Sequence, residues 1–345
     1  MAKSFVRNCW YVAAWSHEVG EDVLFSRTIL GEPILLYRTA DGSAVALADR
    51  CAHRHAPLSI GRKEGDCVRC MYHGLKYDQL GRCVEIPGQM AVPARLQVKR
   101  YPLAERGRWI FVWMGQPDKL DTSLLPDVSA LHHPDWRMKP GYMHYNANYL
   151  VISDNLLDFS HLSYVHETTL GGTQTIAETR PKIEKISRGV RVTRRVANTV
   201  PAPYHVQFGK FTGPVDRYWL YDYLVPGILL MDSGVTTSGG ADSGTSLKFR
   251  SCQALTPESE KTTHYFFMQA HSFALDDESV TELLYQSVVA AFNEDRRMIE
   301  AQQQMIDLGS ADDMVVLPFD LGLIQFRRAI EDLINSESSS NAPPP

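Results

Sequence analysis

The stretch Asp154-Asn-Leu-Leu-Asp158-Phe-Ser-His161-Leu-Ser-Tyr-Val-His166 places two acids and two histidines within thirteen mostly apolar residues. Ionisable side chains in apolar surroundings are unfavourable unless they are paired or bind a metal. On a helix Asp154, Asp158 and His161 would share one face, because they are four and three residues apart. His166 would lie about 140° round from His161, so both imidazoles could reach one ion only if the helix bends or ends between them. The stretch therefore predicts half of a metal site, with a helix break between the two histidines.

A second group of metal-binding side chains lies upstream, where Cys51-Ala-His53 is followed after sixteen residues by Cys70-Met-Tyr-His73. Two cysteines and two histidines can hold a structural zinc ion. They can also hold a Rieske [2Fe–2S] cluster, in which two cysteines bind one iron and two histidines the other. Chance clustering is the third interpretation. The Cys-x-His spacing is unusual for a zinc finger and no finger-type helix follows, so the sequence favours the cluster.

Longer motifs around these ligands carry a family resemblance. The sequences CAHRHAPLS (51–59) and CMYHGLKYD (70–78), followed by IPGQ (86–89), resemble the Rieske domain of ring-hydroxylating and demethylating oxygenases. The spacing Asp-x₃-Asp-x₂-His-x₄-His of residues 154–166 resembles the mononuclear iron motif of the same oxygenases. The two motifs occur in the order and at the separation that this family shows, which strengthens the resemblance of each.

The resemblance implies a role for each ligand of the cluster. Cys51 and Cys70 would bind the inner iron, and His53 and His73 the outer, more exposed one. Two neutral imidazoles in place of two thiolates raise the reduction potential of such a cluster, and they leave an edge that faces solvent.

The resemblance also implies roles at the second centre. His161 and His166 would bind non-haem Fe(II), and Asp158 would lie between the two metal centres. Asp154 would be a supporting carboxylate beside the iron.

A site of two histidines and one carboxylate needs a further acid. A long helical pattern runs roughly from residue 279 to 306 and carries an apolar stripe of Leu284, Val288, Ala291, Phe292, Met298 and Ile299. Asp295 falls on this stripe, whereas Glu294 is rotated about 100° away from it. A buried carboxylate needs a partner, and the family resemblance implies an acid in a late helix. We therefore predict Asp295 as the third iron ligand, with Glu294 as the alternative; a solvated charge run over 293–297 is the other interpretation.

Two domains follow from these motifs and from the strand patterns. We predict an α+β protein with an N-terminal all-β Rieske domain at 1–120 and a catalytic domain at 121–335, in which helices cover an antiparallel sheet in the helix-grip manner. Residues 336–345 are predicted to form a disordered tail. In the first domain, short strands and turns are expected at Pro33–Tyr37, Ala40–Gly42, Ala44–Leu47 and Arg108–Trp113. Met143–Tyr149 is predicted as a strand that leads into the iron motif.

Composition narrows the function classes. The 345 residues are 44% hydrophobic with a net charge of −5, which is ordinary for a globular protein and gives no indication of nucleic-acid or anionic-membrane binding. No apolar run reaches the ~18 residues of a membrane span, and the N-terminus has no signal-peptide core. Six cysteines in a long chain without such a signal favour cytosolic thiols. The expected location is the cytoplasm.

Within the family, residues 5–14 and the iron motif look most like the vanillate O-demethylase and toluenesulfonate methyl-monooxygenase group. That likeness implies an oxygenase that uses O₂, and electrons from an NAD(P)H-dependent flavin/[2Fe–2S] reductase, to oxidise a methyl or methoxy carbon of an aromatic acid. It also implies a head-to-tail homotrimer, in which Asp158 connects one subunit's cluster to its neighbour's iron. Substrate-binding candidates are His205, Arg217, Arg250 and Gln253, none of which the sequence singles out.

Three alternatives remain open at this point. They are a ring-hydroxylating oxygenase for another aromatic compound, a Rieske electron carrier without a catalytic iron, and a zinc-stabilised ligand-binding protein. The carrier would contain a coloured cluster but no mononuclear iron, and the zinc protein would be colourless.

Overall fold

The computed structural model describes residues 5–239, 246–309 and 314–339. These residues form two compact units, one of residues 7–126 and the other of residues 5–6 together with the described residues from Asp127 onwards. The first unit is built from strands, and the second combines a large antiparallel sheet with helices. The predicted α+β class is therefore confirmed.

The first unit contains three antiparallel sheets. One joins β1, β10 and β9, the second joins β2, β3 and β4, and the third joins β5 to β8 in order. The strands are β1 (Trp10–Trp15), β2 (Phe25–Ile29), β3 (Glu32–Arg38), β4 (Ala44–Ala48), β5 (Arg62–Glu64), β6 (Cys67–Arg69), β7 (Lys76–Tyr77), β8 (Cys83–Glu85), β9 (Leu103–Arg106) and β10 (Trp109–Trp113). The strands predicted in this region occur as β3, β4 and β10. Every residue of β1 and β10 is buried, so both faces of this strand pair contribute to the core.

The second unit is organised around a seven-stranded antiparallel sheet in the order β11-β17-β16-β15-β14-β13-β12. Its strands are β11 (Gly141–Tyr145), β12 (Lys182–Ile186), β13 (Gly189–Thr199), β14 (Val215–Leu224), β15 (Ile228–Thr237), β16 (Ser246–Pro257) and β17 (Thr263–His271). Strand β11 ends earlier than the predicted Met143–Tyr149. The Asn148 side chain accepts a hydrogen bond from Leu150 N–H (2.9 Å) and so caps a helix that has already begun at Tyr149.

Helices accompany this sheet, and most of them pack against its strands. They are α1 (Tyr149–Leu157), α2 (Leu162–Val165), α3 (Gln174–Glu178), α4 (Pro203–Gly209), α5 (Glu278–Leu308) and α6 (Leu321–Ser339). The long helix α5 occurs where the sequence predicts it, and the Tyr145 hydroxyl donates to its Phe292 carbonyl (2.8 Å). Met298, predicted on the apolar stripe, is 58% exposed and does not contribute to the buried face of the helix. Among the described residues, no helix is long and apolar enough to cross a membrane.

The predicted tail needs a correction. Residues 336–339 are helical, because α6 continues to Ser339, so the prediction of disorder from residue 336 is wrong for this segment. Residues 340–345 lie outside the described part of the chain. Residues 336–339 are polar, and composition alone predicts disorder for them. They are helical because they continue α6, which begins with the apolar and basic sequence LGLIQFRR.

Candidate metal centres

The two cluster motifs form loops of the same backbone conformation. In each loop the cysteine carbonyl accepts a hydrogen bond from the N–H four residues on, which is His55 after Cys51 and Gly74 after Cys70 (both 2.9 Å). Each of these fourth residues is left-handed, with φ of 60° at His55 and 78° at Gly74. The candidate histidine follows the cysteine by two residues in one loop and by three in the other, so one loop geometry accommodates both spacings.

The four side chains divide by burial as a Rieske cluster requires. Cys51 and Cys70 are each 1% exposed within the apolar core of the unit, whereas His53 and His73 are exposed. The two imidazole rings lie with their centroids 4.6 Å apart. Two buried thiolates on one side and two exposed imidazoles on the other fit a [2Fe–2S] cluster whose histidine-bound iron faces solvent.

Tyr77 is a further residue of this centre, which the sequence did not indicate. Its hydroxyl lies 3.2 Å from Cys51 Sγ and 3.2 Å from the Ala52 N–H. Burial, and then the hydrogen bond to Cys51, raise the pKa of this phenol, so it remains a hydrogen-bond donor. Hydrogen bonds to the sulfur ligands of a cluster help to set its reduction potential.

The helix of the iron motif breaks at Asp158, before His161. Helix α1 ends at Leu157, and Asp158 has extended backbone (φ −124°, ψ 97°). Its carboxylate then accepts hydrogen bonds from the N–H (2.9 Å) and hydroxyl (2.7 Å) of Ser160, which starts a 3₁₀ turn at Phe159–His161. The predicted end of the helix between the two histidines is confirmed as well: α2 ends at Val165, and His166 lies beyond it with non-helical backbone (φ −115°, ψ 29°).

The structure brings His161, His166 and Asp295 together, with one ligand atom of each within 4.8 Å of the others. Asp295 Oδ1 lies 3.0 Å from His166 Nε2 and 3.5 Å from His161 Nε2. His166 is 1% and Asp295 5% exposed. Two imidazole nitrogens and one carboxylate on one side of an ion, with other positions open, are the donor set of a non-haem Fe(II) facial triad.

The other ring nitrogen of each histidine is held by a neighbour. His161 Nδ1 donates to the Asp158 carbonyl (2.5 Å), and His166 Nδ1 donates to the Glu294 carboxylate (2.7 Å). Both Nε2 atoms are therefore oriented towards Asp295, as in the carboxylate–histidine–metal arrangements that fix a ligand's tautomer. Glu294, the alternative third ligand, instead occupies this supporting position, where it also accepts from the Thr169 hydroxyl (2.7 Å).

The pKa values of the two histidines are shifted in opposite directions. Burial lowers the pKa of His161, which favours the neutral ligand form. Burial acts in the same direction on His166, but the Asp295 and Glu294 carboxylates outweigh it and raise the pKa of His166.

We expect Glu294→Gln to weaken iron binding by ~10–100-fold, the usual effect of losing a carboxylate on a ligand histidine. The amide keeps the size of the side chain but removes the charge beside His166. The iron dissociation constant, measured by competition with a chelator, tests this. Glu300→Gln is the matched control, since Glu300 lies on the same helix and accepts hydrogen bonds from Asn146. Unchanged iron affinity in Glu294→Gln, or an equal loss in Glu300→Gln, would contradict the prediction.

The structure does not place Asp154 at the iron centre. Its carboxylate forms an ion pair with Arg327 of α6, and burial raises its pKa despite this partner. The shared helix face that suggested a metal-supporting role ends at Leu157. The neighbouring Asn155, which the sequence did not single out, instead donates to Asp295 Oδ1 (3.1 Å).

A cavity of about 100 Å³ adjoins the three ligands. Cavities of ~150 Å³ lined by apolar side chains hold a benzene ring, so this cavity is nearer in size to a single ring than to a polycyclic compound. Its aromatic walls are formed by Phe159, Tyr204, Trp219, Phe249 and Phe292. Polar groups converge on it from Asn155, Arg217, Ser233, Gln253, Gln269 and Ser287.

Two of the four substrate-binding candidates line the cavity and two do not. Arg217 and Gln253 line the cavity. His205 is 2% exposed and packs among Tyr204 and other aromatic rings. Arg250 projects from the other face of the sheet, where it pairs with the cross-strand Asp232 (3.0 Å).

Two family models match the chain. Residues 9–102 match the Rieske [2Fe-2S] domain, and residues 145–336 match the vanillate O-demethylase oxygenase C-terminal domain. Each model covers one of the two motif-bearing regions, and the second covers more than half of the chain.

Similar proteins extend over almost the whole chain. The toluene-4-sulfonate monooxygenase system iron-sulfur subunit of Comamonas testosteroni is 47% identical, covering 98% of this chain and 100% of its own. The crystal structure of dicamba monooxygenase bound to dicamba superposes with a TM-score of 0.89 at 32% identity, covering 97% of this chain and 99% of its own. A further dicamba monooxygenase structure, described as containing non-heme iron and dicamba, gives a TM-score of 0.83 at 30% identity, covering 98% and 99%.

These relatives exclude the zinc-stabilised binding protein as an interpretation of the two motifs. The family uses a Rieske cluster together with a mononuclear iron, and donor sets suited to both are present here. This chain belongs to the Rieske non-haem iron oxygenases, as the oxygenase component of a monooxygenase system.

Proposed function

We propose that this enzyme oxidises a methyl or methoxy carbon of a single-ring aromatic carboxylate or sulfonate. The observation that carries the proposal is the cavity: His161, His166 and Asp295 lie in its wall, and aromatic and aliphatic side chains form most of the remaining lining. The named relatives act on toluene-4-sulfonate and dicamba, which supports an aromatic acid.

The residues of this chain have distinct parts in the reaction. We assign Cys51, His53, Cys70 and His73 to the cluster. His161, His166 and Asp295 are the ligands of the mononuclear iron, which when bound supplies the site where O₂ is activated. The aromatic walls hold the ring so that its methyl or methoxy group faces these ligands, and they exclude water from the reacting carbon.

The overall reaction consumes O₂, two electrons and two protons. One oxygen atom enters the C–H bond and the other leaves as water. A ring methyl group yields the alcohol. A methoxy group yields a hemiacetal, which breaks down to the phenol and formaldehyde.

Electrons come from a partner protein, as the name of a multicomponent monooxygenase system implies for the relative. The proposed partner is an NAD(P)H-dependent reductase with flavin and [2Fe–2S] groups, and the proposed location is the cytoplasm, where NAD(P)H is available. We further propose a homotrimer, since a closed ring of head-to-tail interfaces lets every subunit donate to its neighbour. In this arrangement Asp158 connects the cluster histidine of one subunit to His161 of the next.

A panel of aromatic carboxylates and sulfonates that carry methyl or methoxy groups tests the substrate class. With a surrogate reductase, we expect NADH-dependent formation of alcohols or of phenol plus formaldehyde from at least one acid. Matched ring compounds without the methyl or methoxy group provide the control. Ring hydroxylation in place of these products would refute the proposed reaction, and cluster reduction without any O₂ consumption would indicate an electron carrier.

A further inference from the structure

Arg217 is a buried cation in the wall of the substrate cavity. It is 3% exposed, and it projects from β14 into the space that also contacts the iron ligands. Its guanidinium donates to the carbonyls of Gly171 (2.8 Å) and Leu170 (3.1 Å) and lies 4.7 Å from the centre of the Trp219 ring. These contacts orient the group without neutralising it.

Among the described residues, no carboxylate lies within ion-pair distance of Arg217. The other deeply buried arginines each have one: Arg27 pairs with Glu18 (3.0 Å) and Arg194 lies 3.8 Å from Asp158. A buried charge without a counter-ion is unfavourable unless an anion accompanies it. An external anion bound on the cavity side of Arg217 would therefore compensate its buried positive charge.

The surroundings preserve this single positive charge. Burial lowers the pKa of Arg217, but a guanidinium remains protonated in proteins. Burial, and then the charge of Arg217, lower the pKa of the adjacent His205 to about 2, so this imidazole is neutral. The charge therefore belongs to one planar group, which can meet a carboxylate or sulfonate through two parallel hydrogen bonds.

We propose that Arg217 binds the acid group of the substrate and so directs the opposite end of the ring towards His161, His166 and Asp295. The inference rests on the proposed function, because it names the group that recognises the aromatic acid. Trp219, beside Arg217 on the same face of β14, and Phe249 from β16 would contact the ring.

A purely structural role is the competing explanation, since Arg217 also holds the loop at residues 170–171. This loop follows His166, whose carbonyl accepts hydrogen bonds from Leu170 and Gly172 N–H (3.1 and 3.2 Å). Loss of these loop contacts would displace His166 and weaken the binding of acidic and neutral aromatic compounds equally. Loss of an anion site would affect acids alone.

The test compares Arg217→Gln with Arg250→Gln, whose side chain lies on the other face of the same sheet and pairs with Asp232. Calorimetry on the iron-loaded protein, without reductase, measures binding of an aromatic acid that the wild type oxidises and of its neutral primary amide or sulfonamide. In Arg217→Gln we expect the affinity for the acid to fall by ~30–1000-fold, with a change of less than about threefold for the neutral analogue. Arg250→Gln should match the wild type in both.

Ser233→Asp provides a second measurement that leaves Arg217 and its loop contacts in place. Ser233 lines the cavity and pairs with Trp219, which makes it the diagonal neighbour of Arg217 on the same face. Its new carboxylate should neutralise the guanidinium and reduce acid affinity as Arg217→Gln does. This variant decides the question if Arg217→Gln fails to fold or to retain iron.

The possible outcomes distinguish an error in the role of Arg217 from an error in the proposed function. Unchanged acid affinity in either folded variant, or an equal loss for the acid and its neutral analogue, would overturn the role of Arg217 alone. Failure of the wild type to bind or oxidise any aromatic acid would overturn the proposed function as well.

Discussion

Replacement of Asp295 by asparagine is expected to remove the mononuclear iron and leave the cluster intact. Among the described residues, Asp295 provides the carboxylate facing both His161 Nε2 and His166 Nε2, and a neutral amide is a much weaker ligand for Fe(II). Iron affinity should fall by more than the ~10–100-fold that follows from changing a supporting carboxylate. Turnover should fall at least as far, because O₂ is activated only at that iron.

Metal analysis and the visible spectrum of anaerobically purified protein measure this result. The variant should retain the cluster's colour and its two irons but lose the third. Asp307→Asn is the matched control, because Asp307 lies exposed on the same helix and pairs with Lys261 (2.9 Å). Full iron content and turnover in Asp295→Asn would show that another residue completes the site.

Replacement of Asp158 by asparagine is expected to preserve both metal centres and to reduce turnover by ~100-fold or more, about 3 kcal/mol in the barrier. Asparagine caps a turn as well as aspartate does, so the 3₁₀ turn that starts at Ser160 should persist. The Asp158 carbonyl that accepts from His161 Nδ1 is unaffected. What is lost is the carboxylate that we propose connects a cluster histidine of one subunit to His161 of the next. The same change removes the negative charge 3.8 Å from the buried Arg194, so the free energy of unfolding is measured beside turnover.

The decisive measurement is the rate at which the pre-reduced cluster is reoxidised by O₂ in the presence of substrate. This rate should fall in Asp158→Asn while metal content stays at the wild-type level. Ser160→Ala is the control, since it removes one hydrogen bond to Asp158 but keeps its charge. Reoxidation as fast as in the wild type would refute the connecting role.

Much of both candidate sites could be predicted because metal chemistry restricts the residue types. Thiolate and imidazole at short, fixed spacings predicted the cluster ligands, and His161 and His166 followed from a dense group of ionisable residues. Asp295 was predictable because a carboxylate on the apolar stripe of a helix needs a partner. The structure places it 3.0 Å from His166 Nε2.

A further helix break, at Asp158, was not predicted, and the reason is physical. Spacing arguments assume an ideal helix of 3.6 residues per turn, and they brought Asp154, Asp158 and His161 onto one face. The Asp158 carboxylate competes with the helix by binding Ser160 N–H, as short polar side chains do at helix ends. Asp154 therefore stays on α1 with Arg327 of α6 as its partner, away from the iron ligands.

The sequence by itself determined the metal chemistry, the domain order and the family, because these depend on which side chains are present and how far apart they lie in the chain. Only the tertiary structure decided which arginine enters the cavity. Arg217 and Arg250 both lie on strands whose side chains alternate between the two faces of the sheet. The strand register places Arg217 on the face that lines the cavity and Arg250 on the opposite face, where it pairs with Asp232. The tertiary structure also showed that Glu294 accepts a hydrogen bond from His166. The sequence could not predict this contact, because a contact between a helix and a distant loop leaves no local pattern in the chain.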